Sequence, residues 1–405
     1  MTATLQPLSN SRRDTTLDLL RGFALAGVLF IFCVSDPGVP SGYTNTFWDE
    51  LIGWPKWILV ESRMYTMLIL IFGYGFYVQM EKAKQSGASF TPVFLRRVAG
   101  LLVIGFIHAI VLSTRDILMF YAIGGFALLF ISKLSNRWIF CILALLFLLM
   151  ATPLAFEING NSWRKASSLV QPNQYNQHLQ YNWAFFKLYH QVYMIYIEML
   201  FHFLLGFWLA RKGILQKLKA NVSSRKKLLV ISLIASVLLI ALYYFVLPGV
   251  MPGFMKRLTE DWQRIAVITG ARTLYYAVML ISVTLYASIL ISVSVSGKFK
   301  KLVSPLAAFG QMALSNYLMQ SLMLVPYYLT FDKFNNLPPA EGLIIYIPVL
   351  AFQCWFSSWW LTRFTLGPVE WLLRSITYWE WQQIRRPKLI REKTTTYTGT
   401  IVVVE

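Results

Sequence analysis

The sequence predicts an all-α polytopic membrane protein with about ten transmembrane helices and both termini in the cytoplasm. Three observations carry that expectation. Of 405 residues, 57% are hydrophobic and 14% charged, whereas an ordinary globular chain is about 25% charged. The apolar residues fall in long runs instead of short periodic stripes, and a run of ~18 or more is long enough to cross a bilayer. The cations collect at the ends of those runs, mostly on one side. A net charge of +19 would otherwise suggest nucleic acid, but the cations form no single stripe, so no nucleic-acid partner is expected.

The runs lie at 17–34, 57–80, 98–114, 116–132, 138–156, 191–210, 228–247, 272–296, 304–330 and 342–366. The first follows Arg12 and Arg13 but exceeds the ~7–15-residue core of a signal peptide. Ser35-Asp36-Pro37 is a poor cleavage site, so this run is expected to remain as the first helix. Thr114–Arg115 and Lys133–Arg137 are short turns, which makes spans three to five antiparallel neighbours. Segment 157–190, carrying Trp163, Tyr175, Tyr181, Trp183 and Tyr189, suits an interfacial aromatic belt or a lid over an outward-facing cavity. The chain then divides into a cytoplasmic N-terminal segment (1–16), a first transmembrane half (17–210), a basic cytoplasmic linker (211–227), a second half (228–390) and a loose cytoplasmic tail (391–405).

With the N-terminus inside, the cations of 211–227, the tail, Arg96 and Arg97 all face the cytoplasm, and fewer, such as Lys56 and Lys187, face out. That bias satisfies the positive-inside rule and makes anionic lipid a natural partner. A bacterial cytoplasmic (inner) membrane is the expected location. Cys33, Cys141 and Cys354 sit in apolar segments with neither paired nor metal-ligand spacing, so no disulfide and no metal are expected.

Ionisable groups inside hydrocarbon are costly and mark candidate sites. His108 lies about eleven residues past Arg97, which at ~1.5 Å per residue is ~16 Å into the bilayer. Asp116 follows across a tight turn, where it can fix the imidazole tautomer, cap the next helix, or do both. Glu198 and His202 are spaced i,i+4 and are expected to satisfy each other. Asn316 and Gln320 share that spacing beside Ser315 and Ser321, with Gln353 at similar depth; they read as interhelical glue or as donors to a substrate oxyanion. Asp18 and Arg21 suit a local ion pair. Arg63, ~9 Å below the outer end of span two, reads as a snorkelling side chain or as a holder of a carbonyl oxygen near His108. The inner arginines Arg12, Arg13, Arg96 and Arg97 read as binders of a phosphorylated cofactor or simply as part of the positive-inside bias, which alone would put them there.

Several blocks carry a family resemblance. Leu17-Asp18-Leu19-Leu20-Arg21-Gly22-Phe23, Phe72-Gly73-Tyr74-Gly75-Phe76, and the stretch from Arg96 through His108 to Asp116 are the first three. Phe309 through Gln320, then Gly367-Pro368-Val369-Glu370-Trp371 with Arg374 and Tyr378, complete the set. Over roughly 12–390 the chain resembles the YeiB-like bacterial membrane proteins, whose C-terminal region is domain of unknown function 418. It is more distantly similar to the transmembrane acyltransferase superfamily that includes heparan-alpha-glucosaminide N-acetyltransferase. Gln311 stands where the family commonly has an arginine.

By fold-level analogy, the resemblance implies an acyltransferase that moves an acyl group from cytoplasmic acyl-CoA to a small-molecule, glycan or lipid acceptor at or beyond the outer face. His108 is then the general base and Asp116 its partner. Arg21, Arg96 and Arg97 bind acyl-CoA, while Arg63, Glu198, His202, Asn316 and Gln320 serve substrate or oxyanion. The alternative is a transporter or lipid flippase. Proline-interrupted helices at matching places in two halves would favour it, but Pro153 falls late in span five and Pro348 early in span ten.

Overall fold

The computed structural model describes residues 14–34, 46–112, 116–152, 175–189, 193–331 and 337–386. Arg12, Arg13, the Thr114–Arg115 turn, Trp163 and the 391–405 tail lie outside the described residues. The first half holds α1 (Thr15–Cys33), α2 (Phe47–Pro55), α3 (Arg63–Gln85), α4 (Phe90–Val111), α5 (Leu118–Ile131), α6 (Asn136–Ala151), α7 (Tyr175–Tyr189) and α8 (Tyr193–Arg211). The second holds α9 (Ile214–Ala220), α10 (Val222–Ile240), α11 (Leu247–Met255), α12 (Asp261–Ser296), α13 (Lys300–Gln311), α14 (Ala313–Thr330), α15 (Pro339–Arg363) and α16 (Pro368–Tyr378). Among the described residues no strand forms beyond a one-pair antiparallel bridge, Phe364 to Arg385.

Among the described residues six helical stretches are long and apolar enough to cross a membrane: Thr15–Cys33, Phe47–Gln85, Phe90–Val111, Val222–Met255, Asp261–Ser296 and Pro339–Arg363. Leu118–Ile131 and Asn136–Ala151 are shorter apolar helices. Many large apolar side chains point outward, among them Phe126, Phe140, Leu238 and Trp355, as expected where the surrounding solvent is lipid.

Three helix starts differ from the sequence expectation. Span two does not run unbroken from residue 57: Lys56–Val60 closes a π-helical turn, and Ser62 at φ 63 interrupts the chain before α3. Arg63 is therefore the first residue of its helix, not a residue partway down it. Lys56, expected among the outer loop cations, is buried and pairs with Glu61 at 3.7 Å. Helix α4 begins at Phe90, so Arg96 and Arg97 lie inside it and His108 falls in its last turn. Span nine is broken at Met312 (φ -102, ψ 34) into α13 and α14.

The basic linker 211–227 is mostly helical. Asn221 caps α10 by accepting from the Ser224 amide at 2.9 Å. Packing crosses this linker in both directions: α1 packs extensively on α13, and α16 lies against α4.

The closest helix crossings are made by glycine. On the α3–α8 seam, a Cβ on Gly73 would meet the Phe203 carbonyl, and one on Gly206 would meet the Leu70 carbonyl. On the α1–α13 seam, Gly22 faces the Leu306 carbonyl and Gly310 faces that of Asp18. Small residues let membrane helices approach to backbone contact, where dispersion replaces the missing hydrophobic drive. Gly206→Ala is thus expected to lower the thermal unfolding midpoint in detergent by several degrees, reflecting an overpacking cost of ~1–3 kcal/mol. Gly249→Ala, where a Cβ would meet nothing within 4 Å, should leave the midpoint unchanged.

Candidate functional site

The α4–α5 hairpin brings His108 and Asp116 together inside the bundle. His108 Nδ1 lies 2.8 Å from Asp116 Oδ1, with the two residues 1% and 3% exposed. The other carboxylate oxygen accepts from the Met119 amide at 2.9 Å, so Asp116 both orients the ring and caps α5. Gly105 makes room for this: a Cβ there would come within 2.9 Å of Asp116 Oδ2 and 2.8 Å of the Met119 nitrogen. The opposite ring nitrogen, Nε2, is 2.8 Å from Ser321 Oγ on α14, and the Tyr317 ring lies over the imidazole with centroids 4.9 Å apart. Ser321 completes a buried hydroxyl–imidazole–carboxylate line that the sequence reading noted only as a neighbour of Gln320.

Helix α7 closes the C-terminal end of α4. Asn182 donates to the Ile110 carbonyl at 2.9 Å, and His178 Nε2 lies 3.2 Å from the Leu112 oxygen. These side chains occupy carbonyls that a helix end leaves unsatisfied, so the described part of segment 157–190 lies as a cap over the His108 hairpin.

A cavity of about 430 Å³ opens on the other side of Tyr317, within the size range of small-molecule sites. Along the rise of α3 its lining passes from Leu68 through Phe72 and Phe76 to Lys82, and Leu25, Ile117, Leu118, Tyr121 and Tyr317 line it as well. Its cations are Arg21, Lys82, Arg97 and Arg374. Each of the five blocks that carry the family resemblance contributes to this wall. Asp18 and Arg21 come from the first, Phe72 and Gly75 from the second, Arg97 from the third, Gly310, Gln311 and Tyr317 from the fourth and Glu370 from the fifth.

The acids around these cations are already engaged. Arg21 pairs with Asp18 at 3.1 Å, as the spacing predicts. Asp14 pairs with Lys219 at 2.5 Å. Glu370 is turned onto the start of α14, accepting from the Leu314 and Ser315 amides at 2.6 and 3.1 Å and from the Ser315 hydroxyl. It fills the anion position that a helix N-terminus provides, and it does so at the Met312 break. Arg97 is buried and feels repulsion from Arg21 and Arg374, opposed by the Glu370 carboxyl. Cations held together in this way favour an anionic ligand with several charges, and guanidinium groups match phosphate oxygens in particular.

The remaining candidates sit elsewhere. Arg96 is not on the cavity wall, because it lies next to Arg97 on a helix and points about a quarter-turn away. Arg63, 1% exposed, does not snorkel: it donates to the Trp57 and Glu61 carbonyls at 3.3 and 3.1 Å and to the Tyr244 hydroxyl at 3.1 Å, clamping the break in the chain before its own helix. Asn316 donates to the Phe309 carbonyl at 2.9 Å and to Ser357 at 2.8 Å. Gln320 donates to Gln353, which donates to the Asn316 carbonyl. Those donors tie α14 to α13 and α15, and none of the three residues lines the cavity. Glu198 and His202 do not satisfy each other: neither ring nitrogen of His202 has a hydrogen-bond partner. The i,i+4 spacing puts the two on one face without bringing carboxylate to imidazole.

Residues 209–380 match the family model described as Protein of unknown function (DUF418). The chain is 28% identical over 423 aligned residues to YxaH of Bacillus subtilis (strain 168), covering 95% of this chain and 99% of that protein. It is 25% identical over 381 residues to a 39.9 kDa protein from the amylase 3' region of Bacillus acidopullulyticus, covering 92% and 96%. With YeiB of Escherichia coli (strain K12) the identity is 24% over 416 residues, covering 90% and 96%. All three relatives are described as uncharacterized. No solved structure matches the chain.

Burial pushes the Glu370 carboxyl above the ordinary carboxylate range, against the pull of Ser315 and the α14 amides. Its folded state therefore favours the protonated form, and the associated stability is full below the ordinary carboxylate pKa and is lost as pH rises through the raised value. Glu370→Gln, which keeps a carbonyl oxygen for the two amides, should remove that decline. Thermal midpoints measured in detergent from pH 4 to 8 should fall less with pH in the variant than in the wild type.

Proposed function

We propose that this chain, which resembles YeiB over 90% of its length and matches the DUF418 family model over residues 209–380, is a membrane-embedded acyltransferase. It takes an acyl group from acyl-CoA at the inner face and delivers it to a hydroxyl or amine acceptor at or beyond the outer face. The topology in this reading has ten crossings of a bacterial inner membrane, with both termini cytoplasmic. Arg21, Lys82, Arg97 and Arg374 then stand on the cytoplasmic side and α7 on the outer side.

The observation that carries the reading is one cavity lined by both cations and apolar side chains, with a tyrosine ring in its wall that lies against a buried histidine. Acyl-CoA is anionic at one end, elongated, and reactive at the other. Its phosphates suit the four cations of the wall, where Arg97 is repelled by Arg21 and Arg374. Its uncharged arm suits the walls of Leu25, Leu68, Phe72 and Phe76, and its thioester then lies at Tyr121 and Tyr317, next to His108.

His108 supplies a base whose ring is held by Asp116, and the carboxylate balances the imidazolium formed when a proton is taken. Tyr317 has to turn aside for the thioester to meet the imidazole, because that side chain stands in the cavity wall. Arg96, Asn316 and Gln320 have no part in the donor site. Arg63, Glu198 and His202 stand apart from the donor site too.

Two measurements test the proposal on purified protein. Release of CoA from acyl-CoA should be detectable with a thiol reagent and should fall at least ~100-fold in His108→Ala, the scale of general-base loss, while the variant still elutes as a folded species. Arg97→Ala should instead raise the acyl-CoA concentration needed for half-maximal rate and weaken its dependence on salt. Equal CoA release in His108→Ala and wild type would sink the mechanism. Uptake of a solute into proteoliposomes without any CoA release would favour a transporter.

A further inference from the structure

The proposed chemistry leaves Ser321 without a role, yet it is the group that His108 faces. Its Oγ lies 2.8 Å from Nε2, on the side of the ring opposite Asp116. A histidine acting directly on an incoming acceptor would present that nitrogen to the cavity; here a buried hydroxyl, 4% exposed, takes the position. Ser321 is one helical turn from Tyr317, so it lies about 6 Å along α14 from a residue of the cavity wall. A second group points the same way. The Tyr121 hydroxyl is buried with no hydrogen-bond partner, and Tyr121 stands on the cavity wall beside Tyr317. An unsatisfied buried donor costs ~1–3 kcal/mol, a cost that an acyl carbonyl oxygen reaching it would relieve.

We propose that Ser321 is the nucleophile that first receives the acyl group, so that transfer proceeds through an acyl-serine with His108 as shuttle, Asp116 as its orienting partner and Tyr121 as donor to the carbonyl oxygen. This rests on the acyltransferase reading above and specifies its route. In the first step the Ser321 hydroxyl proton passes to His108 Nε2 as Oγ bonds to the thioester carbon. The carbon–sulfur bond breaks, and the departing thiolate takes the proton from the imidazolium and leaves as free CoA. In the second step the acceptor hydroxyl or amine gives its proton to His108 and attacks the ester carbon, and Ser321 recovers a proton as its Oγ leaves. Nothing is oxidised or reduced, and the acyl group is conserved. The imidazolium lies between Ser321 and the Asp116 carboxylate at both stages, the arrangement by which base-activated hydroxyls become nucleophiles. A covalent stage also separates the two substrates in time, so a donor confined to one side and an acceptor confined to the other never need to occupy the bundle together.

The test uses the full-length protein in detergent with isotopically labelled acetyl-CoA and no acceptor, quenched in acid and digested. The label is expected as one acyl group on the peptide containing Ser321, accompanied by a burst of CoA equal to the protein present. Ser321→Ala should lose both the label and at least ~100-fold of the transfer rate while binding acetyl-CoA as tightly as wild type. Ser321→Cys, a conservative check on folding, should carry the label on its thiol. Tyr121→Phe should slow the burst by ~10²-fold, the scale of losing one oxyanion donor, without weakening binding. Label on His108, or transfer by Ser321→Ala within a few-fold of wild type, would overturn the serine route and leave the acyltransferase standing. No CoA release by the wild type from any acyl-CoA would overturn both.

Discussion

A polar side chain sealed inside a lipid-embedded bundle must find its partners within the protein, since the surrounding solvent supplies none. The line from Asp116 through His108 to Ser321 meets that condition at every atom it uses. Both ring nitrogens are engaged at 2.8 Å, and the second carboxylate oxygen is taken by the start of α5. Three helices are thereby fixed to one another by three side chains, and the rest of the site follows from that fixation. Tyr317 is one turn from Ser321 and so must lie near the imidazole; Ile117 and Leu118 follow Asp116 directly and line the cavity. The apolar lining and the polar line behind it are two faces of the same helix contacts.

The same rule separates the other polar groups. Asn316, Gln320, Gln353 and Ser357 also find one another, but across α14 and α15 only. Their donors are consumed in holding two helices together, which is the commonest use of amides between membrane helices. Glu370 stabilises a different kind of defect. The break at Met312 exposes the first amides of α14, and a carboxylate from α16 takes them. A helix interruption of this sort often binds a ligand in membrane proteins; here the chain's own side chain occupies the position, and the cations around it are left facing the cavity.

What the sequence made legible were features set by local spacing. Eight residues across a tight turn put Asp116 on His108, and three residues on one helix put Asp18 on Arg21. Hydropathy alone located the long apolar helices, because chain length across a bilayer is a one-dimensional constraint. What stayed hidden depended on where helices break or which way a face turns. Ser62 and Met312 carry no proline or glycine to announce the interruptions, so Arg63 was read too deep and span nine as continuous. Counting from Arg97 in place of Phe90 misjudged how far along its helix His108 lies. Glu370 and Arg374 carry no local sign of their role because they meet Arg97 only once α16 has folded back onto α4, and Lys82 joins Arg21 only through the packing of α3 on α1, contacts between residues far apart in the chain.

That long-range closure also explains why the cavity is cationic. Helix α1 lies on α13 through Gly22 and Gly310, whose missing side chains allow the two backbones to touch. The contact sets Arg21 beside Gln311 and Gly310 at the cavity wall, and Gly75 leaves open the space next to the Arg21 guanidinium, 3.6 Å from where a Cβ would stand. An arginine at 311 would add a further charge to a wall where Arg97 already feels Arg21 and Arg374. Gln311 instead donates to the Thr365 carbonyl at 3.4 Å, so this position ties the wall to the turn after α15 without adding to the charge around Arg97.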